Sequence, residues 1–136
     1  MSTDETVQTV KSFFAAVGTG DREALLAIAA DDIEWIIPGE GWPLAGTHRG
    51  HAGVASLLET ASRTMETSTE VREIVAQGDR VMVIGVATGK VKATGRSFAD
   101  AWVFAITVRD GKLAGIREYV DTQALAHSAV TDAIRG

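Results

Sequence analysis

The sequence contains no cysteine and only two prolines among its 136 residues. Without cysteine, the chain has no disulfide, no thiolate nucleophile and no sulfur ligand for a metal. Basic residues are few as well: 13 lysines and arginines stand against 18 aspartates and glutamates, and the formal net charge is −5. Because nucleic-acid binding requires a basic surface, this balance argues against a nucleic-acid partner.

Long apolar runs are missing too. No run is long enough to span a bilayer, and the first ten residues lack the basic and apolar regions of a signal peptide. We therefore expect a cytoplasmic protein with no membrane partner. Its 46% hydrophobic and 23% charged residues are the usual balance of a soluble globular protein, and its length suits a single domain over residues 1–136.

Apolar residues recur at helical spacing in four segments and alternate in five others. Helices are predicted at residues 2–18, 22–30, 51–65 and 122–134, the first opened by a capping box of Ser2 and Glu5 and the second capped by Asp21. Strands are predicted at residues 33–37, 67–77, 80–88, 98–108 and 113–120. Residues 38–51 are rich in glycine and contain both prolines, so we expect a loop there.

The C-terminal third carries two aspartates of interest. Asp100 is the one acidic residue on the otherwise apolar face formed by Phe98, Trp102, Phe104, Ile106 and Val108. On the next strand, Arg117, Tyr119 and Asp121 share a face. If Asp100 and Asp121 point into one apolar concavity, burial raises their pKa values, as acid/base catalysis requires.

Structural interpretations of these carboxylates stay open. Asp121 precedes Thr122 at the start of the closing helix, so it either caps that helix or pairs with Arg117 or Arg96. The alternative for Asp100 is an ion pair with Arg96 or Lys112 at the sheet edge.

The loop holds a large aromatic ring and two histidines. Trp42 either packs beneath the loop as a plug or lines a binding mouth. His48 and His51 are three residues apart, but no third ligand lies nearby and zinc takes three or four protein ligands, so we expect no metal site. Local hydrogen bonding is the preferred interpretation of both. His48 remains a candidate catalytic residue because histidine is the commonest acid/base group.

Three motifs carry a resemblance to a known family. TGRSFADAWVF, RDGKLAGIREYVDTQAL and GTHRGHAGV resemble the SnoaL-like branch of the superfamily that includes nuclear transport factor 2, ketosteroid isomerase, limonene epoxide hydrolase and scytalone dehydratase. The resemblance implies an α+β fold of the cystatin-like, nuclear transport factor 2-like type. In it, a cone-shaped, curved antiparallel sheet is wrapped by three N-terminal helices and followed by a C-terminal helix. An apolar pocket lies at its open end, and we expect a homodimer through the sheet face.

Limonene epoxide hydrolase is similar from TGRSF through REYVD, which implies that its terminal catalytic aspartate corresponds to Asp121. Its catalytic arginine and second aspartate fall on Gly85 and Ala87, and its water-holding tyrosine and asparagine on Trp35 and Ile37. Epoxide opening needs both a base and an acid, so these replacements remove that mechanism. The positions remain candidate pocket residues, and the small residues of strand 80–88 are expected to leave space for a ligand.

Ketosteroid isomerase also fits incompletely. Its catalytic base falls in residues 37–39, where no carboxylate stands, and its oxyanion-hole acid falls near Trp102. Its tyrosine donor falls near Phe14, since the first helix lends a side chain to the pocket in this superfamily.

The reaction of the SnoaL-like polyketide cyclases needs little more than a base and an apolar pocket that folds the substrate. We expect Asp121 as base, Asp100 as second acid/base, and a wall of Trp35, Trp42, Trp102 and Tyr119. The expected reaction is cyclisation, isomerisation or hydration of an apolar carbonyl compound without metal or cofactor. Two alternatives remain: a binding protein for a small apolar molecule and a dimeric interaction module.

Overall fold

The computed structural model describes residues 3–129, which form four helices and one curled, unclosed sheet of six strands. The helices are α1 (Thr3–Thr19), α2 (Arg22–Ala27), α3 (Gly50–Thr64) and α4 (Thr122–Ala129). The strands are β1 (Ala29–Ile37), β2 (Gly46–Arg49), β3 (Met65–Gln77), β4 (Arg80–Val91), β5 (Ser97–Arg109) and β6 (Lys112–Val120). The expected α+β fold, with three helices before the long strands and one after them, is confirmed.

The strand order is β2-β1-β6-β5-β4-β3. All neighbours pair antiparallel except β1 and β6, which run parallel. The sequence did not predict this parallel pair. A parallel pairing needs a long crossover, and here everything from β2 to β5 intervenes between the two strands.

The glycine-rich segment is not wholly a loop. Residues 46–49 form β2, which pairs with the end of β1 so that His48 lies opposite Trp35. Gly39, Gly41 and Gly46 have positive φ angles of 115°, 69° and 129°, which glycine adopts without strain. These positions turn the chain back onto β1. The loop prediction was therefore wrong for 46–49.

Helix boundaries follow local signals where the structure describes them. The Asp21 carboxylate accepts a hydrogen bond of 3.0 Å from the amide of Ala24, confirming its role as N-cap of α2. Ser2 of the predicted capping box and residues 130–136 of the predicted closing helix lie outside the described residues. No helix within 3–129 is long and apolar enough to cross a membrane.

The inner face of the sheet packs against α1. Val10 and Phe13 of α1 are buried, and β5 buries alternate residues from Phe98 to Trp102 as its period predicted. The alternating face also carries Asp100 into the interior, where it is 8% exposed. Local alternation thus delivers one carboxylate to the concave side of the sheet.

Candidate functional site

A cavity of about 700 Å³ lies between the concave face of the sheet, α1 and α3. Seven of the candidate site residues line it: Phe14, Trp35, Ile37, Trp42, Ala87, Asp100 and Trp102. They come from α1, from the three strands β1, β4 and β5, and from the loop after β1. Segments far apart in sequence therefore supply one continuous apolar wall.

Aromatic rings make up much of that wall. The rings of Phe14 and Trp102 stack with centroids 5.6 Å apart and an interplanar angle of 12°. Trp42 meets Phe98 edge to face at 5.7 Å and is only 7% exposed. Trp42 is thus both a plug beneath its loop and part of the cavity wall, which joins the two interpretations that its sequence position allowed.

Gly85 lies beneath the ring of Trp102 and is not among the residues that line the cavity. A Cβ atom there would lie 2.4 Å from the indole of Trp102, its partner across the β4–β5 ladder. Gly89 accommodates Phe98 in the same way, with 2.7 Å to its ring. The expectation that small residues of β4 leave space for a ligand was wrong for Gly85 and Gly89, because two aromatic rings fill that space, whereas Ala87 lines the cavity.

Tyr119 lies away from the cavity. Strand alternation turns Arg117 and Tyr119 to the outer face of β6, where Tyr119 is 52% exposed. The structure therefore does not place it in the aromatic wall.

Asp121 is exposed at the first turn of α4, and its Oδ1 accepts a hydrogen bond of 3.0 Å from the amide of Ala124. It is not among the described residues that line the cavity. This geometry is that of a helix cap, one of the two structural roles considered for Asp121.

His48 bonds locally, four residues along the chain, whereas the partner of His51 is 22 residues away on β1. His48 Nε2 lies 2.9 Å from the carbonyl oxygen of Leu44, and His51 Nε2 lies 2.9 Å from that of Ala29. His48 belongs to β2 and is outside the cavity lining. Within residues 3–129, no three histidine or acidic side chains lie together in a way that would hold a metal.

Of the two aspartates singled out in the C-terminal third, Asp100 is the one that lines the cavity. It sits opposite Ala87 on β4, among apolar neighbours. Burial raises the pKa of Asp100 to about 6, and the nearby charge of Asp121 adds to the rise. Asp121 therefore acts on the site through its charge while its own oxygen caps a helix.

A second carboxyl group lines the cavity, and the sequence analysis missed it. Glu118 lies on the inner face of β6, where its Oε2 accepts a hydrogen bond of 2.5 Å from Trp35 Nε1. Burial raises the pKa of Glu118 to about 7. The Trp35 hydrogen bond lowers that pKa, and the charge of Asp100 raises it, so desolvation is the dominant cause.

The signal for Glu118 is present in the sequence. It stands two residues from Ile116 and two from Val120, so it interrupts an apolar face just as Asp100 does on β5. The predicted site instead used the other face of β6, which carries Tyr119 and leads to Asp121. A carboxylate flanked at both second neighbours by branched apolar residues was the pattern to look for.

The carboxyl groups of Asp100 and Glu118 lie on the same face of the sheet, on the neighbouring strands β5 and β6. Glu118 is opposite Phe104 in the β5–β6 ladder, and Asp100 lies four residues from Phe104 along β5. At about 3.4 Å per residue, their backbone positions are separated by about 14 Å along the strand. The Trp102 and Val120 pair stands between them. The two groups therefore face the cavity from either side of this pair.

Comparisons with known proteins agree with this fold. A sequence model of the SnoaL-like domain matches residues 10–116. An NTF2-like protein from Burkholderia xenovorans LB400 is 63% identical, with 96% of this chain and 99% of that chain covered and a TM-score of 0.90. No curated protein matches the chain.

Two further solved structures are similar. TerC, co-crystallised with polyporic acid, is 27% identical over 92% of this chain and 98% of its own, with a TM-score of 0.84. An LEH-like epoxide hydrolase from M. tuberculosis shares the fold at 20% identity, over 98% of this chain and 92% of its own, with a TM-score of 0.74. On the match to residues 10–116, this chain belongs to the family of SnoaL-like domains.

Proposed function

We propose that this protein is an enzyme that catalyses proton transfer on an apolar carbonyl compound, as in a cyclisation, an isomerisation or a hydration, without metal or cofactor. The observation that carries the proposal is a carboxyl group, Asp100, held in an apolar cavity with a pKa of about 6. A carboxylate whose pKa lies near the working pH is an efficient general base. A solvated aspartate, with a pKa near 4, is a much weaker one.

The cavity favours a neutral, largely apolar substrate. Its walls include the rings of Phe14, Trp35 and Trp102, which offer apolar and stacking contacts. The carboxyl groups of Asp100 and Glu118 disfavour an anionic substrate in the part of the cavity that they line. TerC was co-crystallised with polyporic acid, and another similar protein is an epoxide hydrolase, so small-molecule chemistry on this fold has precedent among the similar structures.

The base is tested by hydrogen exchange. We expect the protein to exchange the α-protons of an apolar ketone such as 1-indanone with D₂O, followed by proton NMR. Asp100→Asn should slow exchange by about 100-fold or more, since general-base catalysis contributes about 10²–10⁴-fold. Asp110→Asn is the matched control, because Asp110 is exposed in the β5–β6 turn and its φ of 52° suits asparagine.

A ligand-binding protein without turnover is the second candidate, favoured by the engagement of Asp121 in a helix cap. Three tryptophans line the cavity, so an apolar ligand should change the intrinsic fluorescence. Saturable binding of 1-indanone with no exchange above the Asp100→Asn rate would favour this role over catalysis.

We also propose that the outer sheet face joins two copies of the chain. Ile84, Val103 and Tyr119 lie side by side across β4, β5 and β6, and Ile84 and Tyr119 are exposed. Glu73 and Arg117 flank this apolar row with opposite charges, which suits the self-complementary contact of a two-fold dimer. Sedimentation should show a dimer that Ile84→Asp converts to monomer; a monomeric wild type would overturn this.

A further inference from the structure

We propose that Glu118 is a second catalytic group, the acid that donates a proton to the substrate oxygen, and that Trp35 is its positioning residue. The inference rests on the proposed function and narrows its substrate class. The substrate is an enolisable carbonyl compound that lies across the pair of Trp102 and Val120. Its acidic carbon faces Asp100, and its carbonyl oxygen faces Glu118.

The hydrogen bond from Trp35 selects one oxygen of Glu118. An indole N–H only donates, so the oxygen that it contacts, Oε2, must accept. The carbonyl oxygen of a carboxylic acid accepts better than its hydroxyl oxygen, so this bond favours the proton on Oε1. The side chain lines the cavity, and Oε1 is the oxygen left to serve a ligand there. Trp35 is itself buried, so the geometry of this bond is fixed by packing.

Every charge that acts on Glu118 helps it keep that proton. Asp100 is the nearby ionisable group that acts on it, and Asp100 is in turn affected by Asp121. The two neighbours of Glu118 on β6, Arg117 and Tyr119, point to the opposite face of the sheet. Glu118 has the higher pKa of the two, so near pH 6 to 7 a fraction of the molecules holds an ionised Asp100 together with a protonated Glu118. A base and an acid are then present together.

The proton transfer balances with these two groups alone. The Asp100 carboxylate takes a proton from the carbon next to the carbonyl, or conjugated with it, and the C–H electron pair becomes part of a new C=C bond. The C=O π pair takes the Glu118 proton, which gives an enol. In the return step, the Glu118 carboxylate recovers the O–H proton, and Asp100 returns a proton to the same or another carbon. No oxidant, reductant or co-reactant is needed.

The sheet register supports this division of roles. Backbone positions separated by about 14 Å along the strand do not allow the two carboxyl groups to share one proton between them. They leave the two side chains to approach the acidic carbon and the oxygen of one carbonyl compound from opposite sides of Trp102. A cavity of about 700 Å³ has room for a small ketone between them.

The first test needs no substrate. The chain has three tryptophans, so a ¹⁵N-labelled sample should give three indole N–H signals, and Trp35→Phe identifies the signal of Trp35. We expect this signal to shift with pH with a midpoint of about 7, and the inflection to disappear in Glu118→Gln. An inflection that persists in Glu118→Gln, or a flat wild-type signal between pH 5 and 9, overturns the inference.

The second test measures the pH profile of ketone exchange. The exchange rate of the wild type should follow a bell-shaped pH profile, with an acid limb near pH 6 and an alkaline limb near pH 7. Glu118→Gln should slow exchange by about 100-fold and lose the alkaline limb. Trp35→Phe removes a bond that lowers the pKa of Glu118, so its alkaline limb should move to higher pH. Glu66→Gln, an exposed change on β3, is the control.

The outcomes separate the two proposals. Exchange that requires Asp100 but keeps its rate and both limbs in Glu118→Gln overturns the role of Glu118 and leaves the proposed function standing. Exchange that no longer depends on Asp100, or no exchange by wild type, overturns both.

Discussion

Replacing Glu118 by glutamine should make the protein more stable at alkaline pH. Glutamine has nearly the same shape, and its carbonyl oxygen can still accept the hydrogen bond from Trp35. What it removes is a carboxyl group that must ionise inside an apolar cavity as the pH rises. The buried charge therefore costs the wild type stability that the variant keeps.

The magnitude follows from the pKa of Glu118. In the folded protein it is about 7, against a usual 4.5 in the unfolded chain. Between these values the folded state binds more protons, so the free energy of unfolding falls as the pH rises through the window. At about 1.4 kcal/mol per pH unit, the loss is about 3 kcal/mol, complete above pH 7. Well below pH 4.5, the carboxyl group of Glu118 is neutral in the folded and the unfolded state, so it costs no stability.

Urea unfolding at pH 4.5 and pH 8 measures this effect. We expect Glu118→Gln and wild type to unfold at similar urea concentrations at pH 4.5, and the variant to be more stable by up to about 3 kcal/mol at pH 8. The exposed change Glu66→Gln should show no such pH dependence. If the difference between Glu118→Gln and wild type is the same at both pH values, Glu118 does not titrate in the cavity, and the reasoning is refuted.

Two further changes have defined outcomes. Gly85→Ala places a Cβ atom 2.4 Å from the Trp102 ring, so it should destabilise the fold by about 1–3 kcal/mol in thermal unfolding. The control Gly18→Ala should not, because the space around Gly18 is open. Equal melting temperatures for the two variants would contradict this. Asp121→Asn keeps a good helix cap but removes a charge that raises the pKa of Asp100. The Asp100 carboxyl signal should then titrate at lower pH with little change in stability, and an unchanged titration would show that Asp121 does not act on it.

Local patterns predicted much of the fold and one of the two carboxyl groups. Asp100 was found because β5 alternates without interruption over the residues around it. Glu118 was missed because the face of β6 was chosen from Asp121 and Tyr119, which resemble a family motif. A shift of one residue exchanges the two faces of a strand. The apolar residues Ile116 and Val120 identify the inner face, and Glu118 lies on it.

Non-local pairings were beyond the sequence. The strand β2 exists only because β1 offers it a partner, and no alternation within residues 46–49 marks it. The hydrogen bond between Trp35 and Glu118 joins residues 83 positions apart. Neither residue carries a local sign of the other, so the pair becomes visible only when the sheet is assembled.

The parallel pairing of β1 with β6 is what creates that hydrogen bond. In its register Trp35 lies beside Ile116, which places the indole next to the inner residue that follows on β6, Glu118. The hairpin of β5 and β6 alone can carry both carboxyl groups to one face, but it supplies no donor that distinguishes the two oxygens of Glu118. The base of the proposed pair thus follows from local alternation. The acid depends on the long crossover that returns β6 to β1, so the position of its proton is a property of the completed sheet.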